Sequence, residues 1–175
     1  MATVHATTIS PSKQEILEGL FGEPVEIVAA YRFDDPNGEV GVEGLIVTVG
    51  TGLRHVVMTY RGAPLEGGEE QLLSTMEHGV LGDRWIYDGL GDPVALGCFE
   101  RALRGEQQQA RLEIFDGDDL VETRDSTVTV ALVDGHRSEH RGLAIAGDLA
   151  QPLDASGAHL HATWAGGDAV IAALV

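Results

Sequence analysis

Met58-Thr59-Tyr60-Arg61-Gly62-Ala63-Pro64-Leu65-Glu66-Gly67, then Met76-Glu77-His78-Gly79-Val80-Leu81-Gly82-Asp83-Arg84-Trp85-Ile86-Tyr87-Asp88, and finally Asp92-Pro93, set the architecture of this chain. Val56, Met58 and Tyr60 share one face of a strand, and His55, Val57, Thr59 and Arg61 share the other, because successive strand side chains point to opposite sides. Arg84 to Tyr87 reads as a further strand. Asp92-Pro93 reads as the start of a helix with Leu96, Phe99 and Leu103 inward, Arg101 and Arg104 near its C-terminus, and Gly105 closing it. Between Leu65 and Val80 two readings stay open. The spacing of Leu72, Leu73 and Met76 fits a helix, while Ser74-Thr75 and the nearby glycines fit a short strand and loop.

Upstream, Ser10-Pro11 reads as the cap and first residue of a short helix whose stripe is Ile16, Leu17 and Leu20, stopped by Gly22. Val25 to Phe33 is strand-like and ends in the turn Asp34-Asp35-Pro36-Asn37-Gly38. A second strand runs from about Val40 to Val49, and Gly50-Thr51-Gly52 turns it into the strand of Val56 to Tyr60, so the three form an antiparallel meander. After Gly105 the chain becomes a series of short strand-like runs: Arg111 to Phe115, Thr127 to Val133, Leu143 to Ile145, His159 to Trp164, and Ala169 to Val175. Val128, Val130 and Leu132 mark one face of the second run, and Leu160, Ala162 and Trp164 mark one face of the fourth.

The chain has 175 residues and is 43% hydrophobic, enough for a core. Asp and Glu number 28 against 11 Lys and Arg, and the formal charge of −17 repels phosphate backbones and anionic lipid heads. Nucleic acid and membrane are therefore not expected partners. Met1 to Ser10 does not read as a leader, and the longest apolar run, Ala169 to Val175, is too short for a span, so a soluble cytoplasmic protein is expected. Cys98 is the only cysteine; it forms no intrachain disulfide, and its apolar helical setting reads as core.

The stretches quoted first resemble the N-terminal cap of actinobacterial maltokinases, densely from Tyr31 to Pro93 and more faintly from Thr8 to Gly105. The resemblance implies an α+β fold: a curved, largely antiparallel sheet with two or three packed helices, here followed by a β-rich C-terminal third. It divides the chain into a cap-like region at 1–105 and an extension at 106–175, packed in the same domain. In the kinases the cap adjoins the nucleotide-binding lobe and modulates phosphorylation rather than performing it. Many relatives have His-Asp-Pro after the Trp-x-Tyr-Asp run, where this chain has Gly91-Asp92-Pro93.

Several motifs invite a chemical reading. A phosphotransferase needs metal-binding carboxylates and groups that neutralise the transferred phosphoryl. Gly147-Asp148-Leu149 resembles a fragment of the kinase catalytic loop but lacks its histidine, no phosphate loop is present, and Lys13 is the only lysine. His136-Arg137-Ser138-Glu139-His140 spells H-x-x-E-H, a zinc-peptidase signature. Asp134-Gly135 and Arg141-Gly142 bracket it as a loop, and no glutamate follows within the chain to complete the ligand set. His136 and His140 thus remain metal candidates only as a pair. His159 and His161 share a strand face that needs no ligand to explain it.

What remains is Tyr60, Arg61, Glu77, His78, Arg84, Trp85, Tyr87 and Asp88. Aromatic faces beside paired charges suit a sugar, a partner protein, or an internal polar network. No catalytic residue and no cofactor are expected. The leading expectation is a non-catalytic protein-interaction or regulatory module of sugar or glycogen metabolism, with a sugar kinase as candidate partner and the chain a monomer or homodimer. A sugar or sugar-phosphate binder is the alternative, and a metal-dependent hydrolase the remote one.

Overall fold

The computed structural model describes residues 2–5, 9–116, 119–124, 126–134 and 142–175, with backbone alone at 2–5, 9, 112–116, 119–121 and 124. Ala2–His5 (β1) and Ile9–Ser10 (β2) precede the helix Lys13–Phe21 (α1). Val25–Asp34 (β3), Gly41–Val49 (β4) and Gly52–Arg61 (β5) follow, then the 3-10 turn Glu69–Gln71, Leu72–His78 (β6) and Gly82–Asp88 (β7). A second 3-10 turn, Gly89–Gly91, leads into Pro93–Leu103 (α2). The last third holds Leu112–Asp116 (β8), Asp119–Arg124 (β9), Val128–Val133 (β10), Leu143–Ile145 (β11), His159–Trp164 (β12) and Gly167–Leu174 (β13).

The main sheet has the order β2-β6-β7-β5-β4-β3 and is antiparallel throughout. A second antiparallel sheet runs β10-β12-β13-β11, and β1-β8-β9 form a third in which β1 pairs with β8 in parallel. This is α+β with a β-rich C-terminal part. The meander β3-β4-β5 follows from its turns. Asp35 accepts from the amides of Asn37, Glu39 and Val40, and Gly38 and Gly50 sit at φ of 72° and 57°, where a side chain would be strained.

Two clusters fill the two sides of the main sheet. On one side α1 lays Ile16 and Leu17 on Val25, Leu45, Val47, Val56, Met58, Met76 and Ile86. On the other, α2 and the second sheet bring Phe99, Cys98, Leu103, Val128, Leu160 and Ile171 against Tyr31, Phe33, Val42, Ile46 and Val57. Each fully buried Leu, Ile, Val or Phe contributes about 1.5–3 kcal/mol relative to exposure. Gly44 is required under the second cluster, because a Cβ there would stand 2.2 Å from the Tyr31 ring, which is itself buried. The C-terminal strands therefore form a second layer rather than extending the first sheet.

Several expectations need correction. The first helix is capped by Ser12, not Ser10: the Ser12 hydroxyl accepts from the Glu15 amide while the Glu15 carboxylate accepts from the Ser12 amide, and this reciprocal box fixes the start. Ser10 instead ends β2, across from Glu77. Leu20 is 44% exposed, because the last turn of α1 directs Phe21 to the core. The open segment is a strand, β6, since pairing with β7 and the hairpin at 79–81 prevail over the helical spacing. In α2 the buried positions are Ala95, Cys98, Phe99, Ala102 and Leu103, with Leu96 only half-buried. Along β10 the alternation fades, because Leu132 at 38% exposure runs beyond the overlying layer. Strands β1, β2 and β9 had no sequence signal strong enough to predict. No helix among the described residues is long and apolar enough to cross a membrane.

Candidate functional site

The eight clustered residues do not converge on one place. Register places Tyr60 opposite Ile86 and Arg84 opposite Met76, on the α1 side, with His78 following Met76 on that face. Arg61 lies opposite Trp85, Thr59 opposite Tyr87, and Glu77 opposite Asp83, all on the α2 side. Asp88 ends β7, where its carboxylate accepts from the Leu90 amide and caps the 3-10 turn.

Most of their polar groups are satisfied inside the fold. Arg61 donates Nε to Asp92 Oδ2 and Nη2 to Asp92 Oδ1, each at 2.7 Å. Thr59 adds a hydroxyl at 2.7 Å, and the Val94 amide donates at 2.9 Å. Asp92 is fully buried. Burial works to raise its carboxyl, but the hydrogen bonds from Arg61, Thr59 and Val94 outweigh this and hold its pKa below the usual carboxylate value. Its own hydrogen bonds to Asp92 hold the Arg61 guanidinium above its ordinary range against the opposing effect of burial.

A second carboxylate anchors the opposite side. Glu43 faces α1 and accepts from Lys13 Nζ at 2.7 Å and from the Tyr60 hydroxyl at 2.7 Å, with Arg32 Nε at 3.5 Å. The Arg32 guanidinium also stands 5.8 Å from the Tyr60 ring centroid. Burial pushes Glu43 upward, yet Arg32 and Lys13 pull it below its ordinary value. Burial and the neighbouring Glu43 charge raise the Tyr60 phenol well above its own. Sequence reading missed Glu43. Its one signal was a lone Glu in the apolar strand Gly41–Val49, with Lys13 the only lysine available to meet it.

The C-terminal third is keyed to the main sheet by His55, which the sequence placed on the Val57 face of its strand without a role. Its Nδ1 lies 2.9 Å from the Ala146 carbonyl and its Nε2 lies 2.9 Å from the Tyr31 hydroxyl. A carbonyl only accepts, so Nδ1 carries the proton and Nε2 accepts from Tyr31. Burial lowers the His55 pKa from 6.5 to about 4, against the opposing bond to Ala146. Beside it Arg54 donates to Asp148 at 2.9 Å, and Asp148 also accepts from the Ala150 amide. Asp148, which the kinase-loop fragment brought to attention, is thus a turn residue and ion-pair partner.

The remaining candidates divide between turns and surface. Tyr87 is buried and its hydroxyl accepts from the Leu65 amide, fixing the loop over β7. His78 Nδ1 accepts from the amides of Val80 and Leu81 and closes the β6–β7 hairpin. Ser10, Glu77, His78, Gly79, Gly82 and Asp83 border an open cleft of about 380 Å³ at that hairpin. Among the described residues no group of three or more His, Cys, Asp or Glu could hold a metal ion. His136 and His140 lie outside the described residues. His161 Nε2 meets Asp168 at 2.9 Å and His159 Nδ1 meets the Gly157 carbonyl, so these two do not face a common ion. Cys98 is fully buried, and burial raises its thiol pKa despite the neighbouring Arg101, which suits a core residue rather than a nucleophile.

No curated protein and no solved structure matches the chain. One family model does: the maltokinase N-terminal cap domain, over residues 18–92, which span the last turn of α1, strands β3 to β7 and the Asp92 cap of α2. The matched segment, residues 18–92, is similar to the N-terminal cap domain of maltokinases and not to a kinase domain.

Proposed function

We propose that the chain is a non-catalytic protein-interaction and regulatory module of sugar or glycogen metabolism, acting through a sugar kinase. The observation that supports this is the fate of the charged groups in and next to the matched segment. Arg61, Asp92, Glu43, Lys13 and Arg32 are spent on pinning helices and strands together, leaving among the described residues no assembled set to move a proton or a phosphoryl group. A cap whose ionic groups hold its own fold still offers surfaces, and its kinship is with a domain that accompanies a catalytic lobe. The test is to mix the purified chain with a maltose-phosphorylating kinase, then follow complex formation by light scattering and turnover by phosphate transfer. A stoichiometric complex with altered kcat/KM is expected. A kinase neither bound nor altered counts against the proposal, and thermal stabilisation by maltose or a sugar phosphate without any kinase would favour the small-molecule alternative.

A further inference from the structure

The two sides of the main sheet are covered unequally. On the α1 side the core includes Met76 of β6 and Ile86 of β7. On the α2 side the core draws on β3, β4, β5, α2 and the second sheet but takes no residue from β6 or β7. On that side Tyr87 of β7 is buried beneath the loop that Leu65 anchors, while the rest of the face of those two strands, carrying Leu72, Thr75, Glu77, Asp83 and Trp85, lies beyond the overlying layer. Trp85 is half-buried on it, and among the described residues its indole N–H has no acceptor. Leu72, opposite Tyr87, is 40% exposed.

We infer that this face is a docking surface for an arginine- or lysine-bearing segment of a partner protein, an inference that rests on the module reading above. An aromatic with an unmet donor on the same sheet face as an exposed leucine is the composition of an interface centre. Its rim selects the partner's charge. Glu77 and Asp83 stand directly opposite one another in the β6–β7 register, an arrangement that repels, and neither is paired with a cation among the described residues. Arg61, on the same face, is committed to Asp92. A guanidinium placed over Trp85 would gain a cation–π contact and relieve the Glu77–Asp83 repulsion at once. At a net charge of −17, a second copy of this chain or a polyanion is a poor occupant.

The test uses the Trp164→Phe chain, in which Trp85 is the sole tryptophan, titrated with a short peptide alternating Arg and Ser and with its Glu-Ser counterpart. The Arg peptide is expected to change Trp85 emission and the Glu peptide to leave it unchanged. Glu77→Lys, at an exposed position that leaves the fold intact, and Trp85→Ala should each weaken binding by about tenfold. Glu26→Gln on β3, at the far edge of the sheet, and Glu106→Gln should change it by less than about twofold. Equal weakening by all four variants, insensitivity to Glu77→Lys, or no binding would each overturn the inference. The kinase assay separates the two proposals. A complex that forms with the wild type and persists with Glu77→Lys leaves the module reading standing and removes this face from it. Failure of the wild type to engage any kinase removes the module reading, while the peptide titration still decides the face.

Discussion

The two helices begin in different ways. The N-terminus of α1 divides its tasks: Ser12 and Glu15 satisfy the free amides at an exposed position, while Lys13, one residue on, reaches Glu43 to tie the helix to the sheet. The N-terminus of α2 gives both tasks to Asp92, which caps the helix through the Val94 amide and grips Arg61 and Thr59 of β5 from a fully buried position. Separated tasks fail one at a time. Combined tasks fail together, so single substitutions at the two helix starts should differ by several-fold in cost.

Asp92→Ala presses this contrast hardest. It removes the cap, leaves the Thr59 hydroxyl buried without its acceptor, and strips the carboxylate from an Arg61 side chain only 17% exposed. Breaking a buried pair by deleting one partner costs about 3–5 kcal/mol, so a loss of about 4 kcal/mol is expected in urea unfolding. Asp92→Asn keeps a side-chain oxygen for the Val94 amide and should recover the capping share alone. If Ala and Asn cost the same, capping is negligible and the two tasks are not in fact combined.

Acid should release the buried contacts of the sheet in a definite order. The folded pKa of His55, about 4, lies below its ordinary 6.5. As pH falls through that interval the unfolded chain takes up a proton that the folded chain refuses, so stability is full above 6.5 and is lost between 6.5 and 4, by about 3 kcal/mol in all. Glu43 and Asp92 have lowered pKa values, so their contributions are full above the ordinary carboxylate values and are lost as pH falls from there through the folded ones. The first loss therefore falls on the contact that keys Ala146 and the C-terminal layer to Tyr31 and β5. His55→Gln, which keeps a donor and an acceptor without titrating, should flatten the profile between about pH 6.5 and 4. A wild-type profile already flat there would mean that His55 is not held neutral by burial.

On the α1 side, Glu43→Gln keeps an acceptor for Tyr60 but leaves Lys13 and Arg32 facing each other without a carboxylate. Their side chains, 27% and 19% exposed, still reach some water, so about 2 kcal/mol is expected, half the cost of Asp92→Ala. Arg32→Gln in the same background should restore part of the loss by removing one of the two like charges. Additive losses would show that the two cations do not interact through Glu43.

The legibility of these features follows their range in the chain. The meander was readable because its turns are local: Asp35, Asn37, Gly38 and Gly50 specify them within a few residues. The helix at Pro93 was readable for the same reason. The hairpin strand β6 was ambiguous because Leu72, Leu73 and Met76 fit either period, and only pairing with β7 decides. Glu43 and His55 were hidden because their partners lie 30 and 91 residues away, and an ionisable residue inside a strand does not announce which distant group meets it. The cluster around Arg61 and Trp85 was found as a set of residue types. Its division between two faces follows from strand alternation, and its ion pair with Asp92 required the tertiary fold.

The smallest effect tests the other half of the contrast. Ser12→Ala removes the acceptor of the Glu15 amide and half of the capping box, while Lys13 keeps its bond to Glu43. Because the site is exposed, water can replace the lost acceptor, and the cost should be about 1 kcal/mol, a quarter of that for Asp92→Ala. The double variant Ser12→Ala with Glu43→Gln should cost about 3 kcal/mol, the sum of the singles, if the cap and the anchor act independently. A coupling above about 0.5 kcal/mol would mean that fraying the first turn displaces Lys13 from Glu43, and that the start of α1 works as one unit after all, as the start of α2 does.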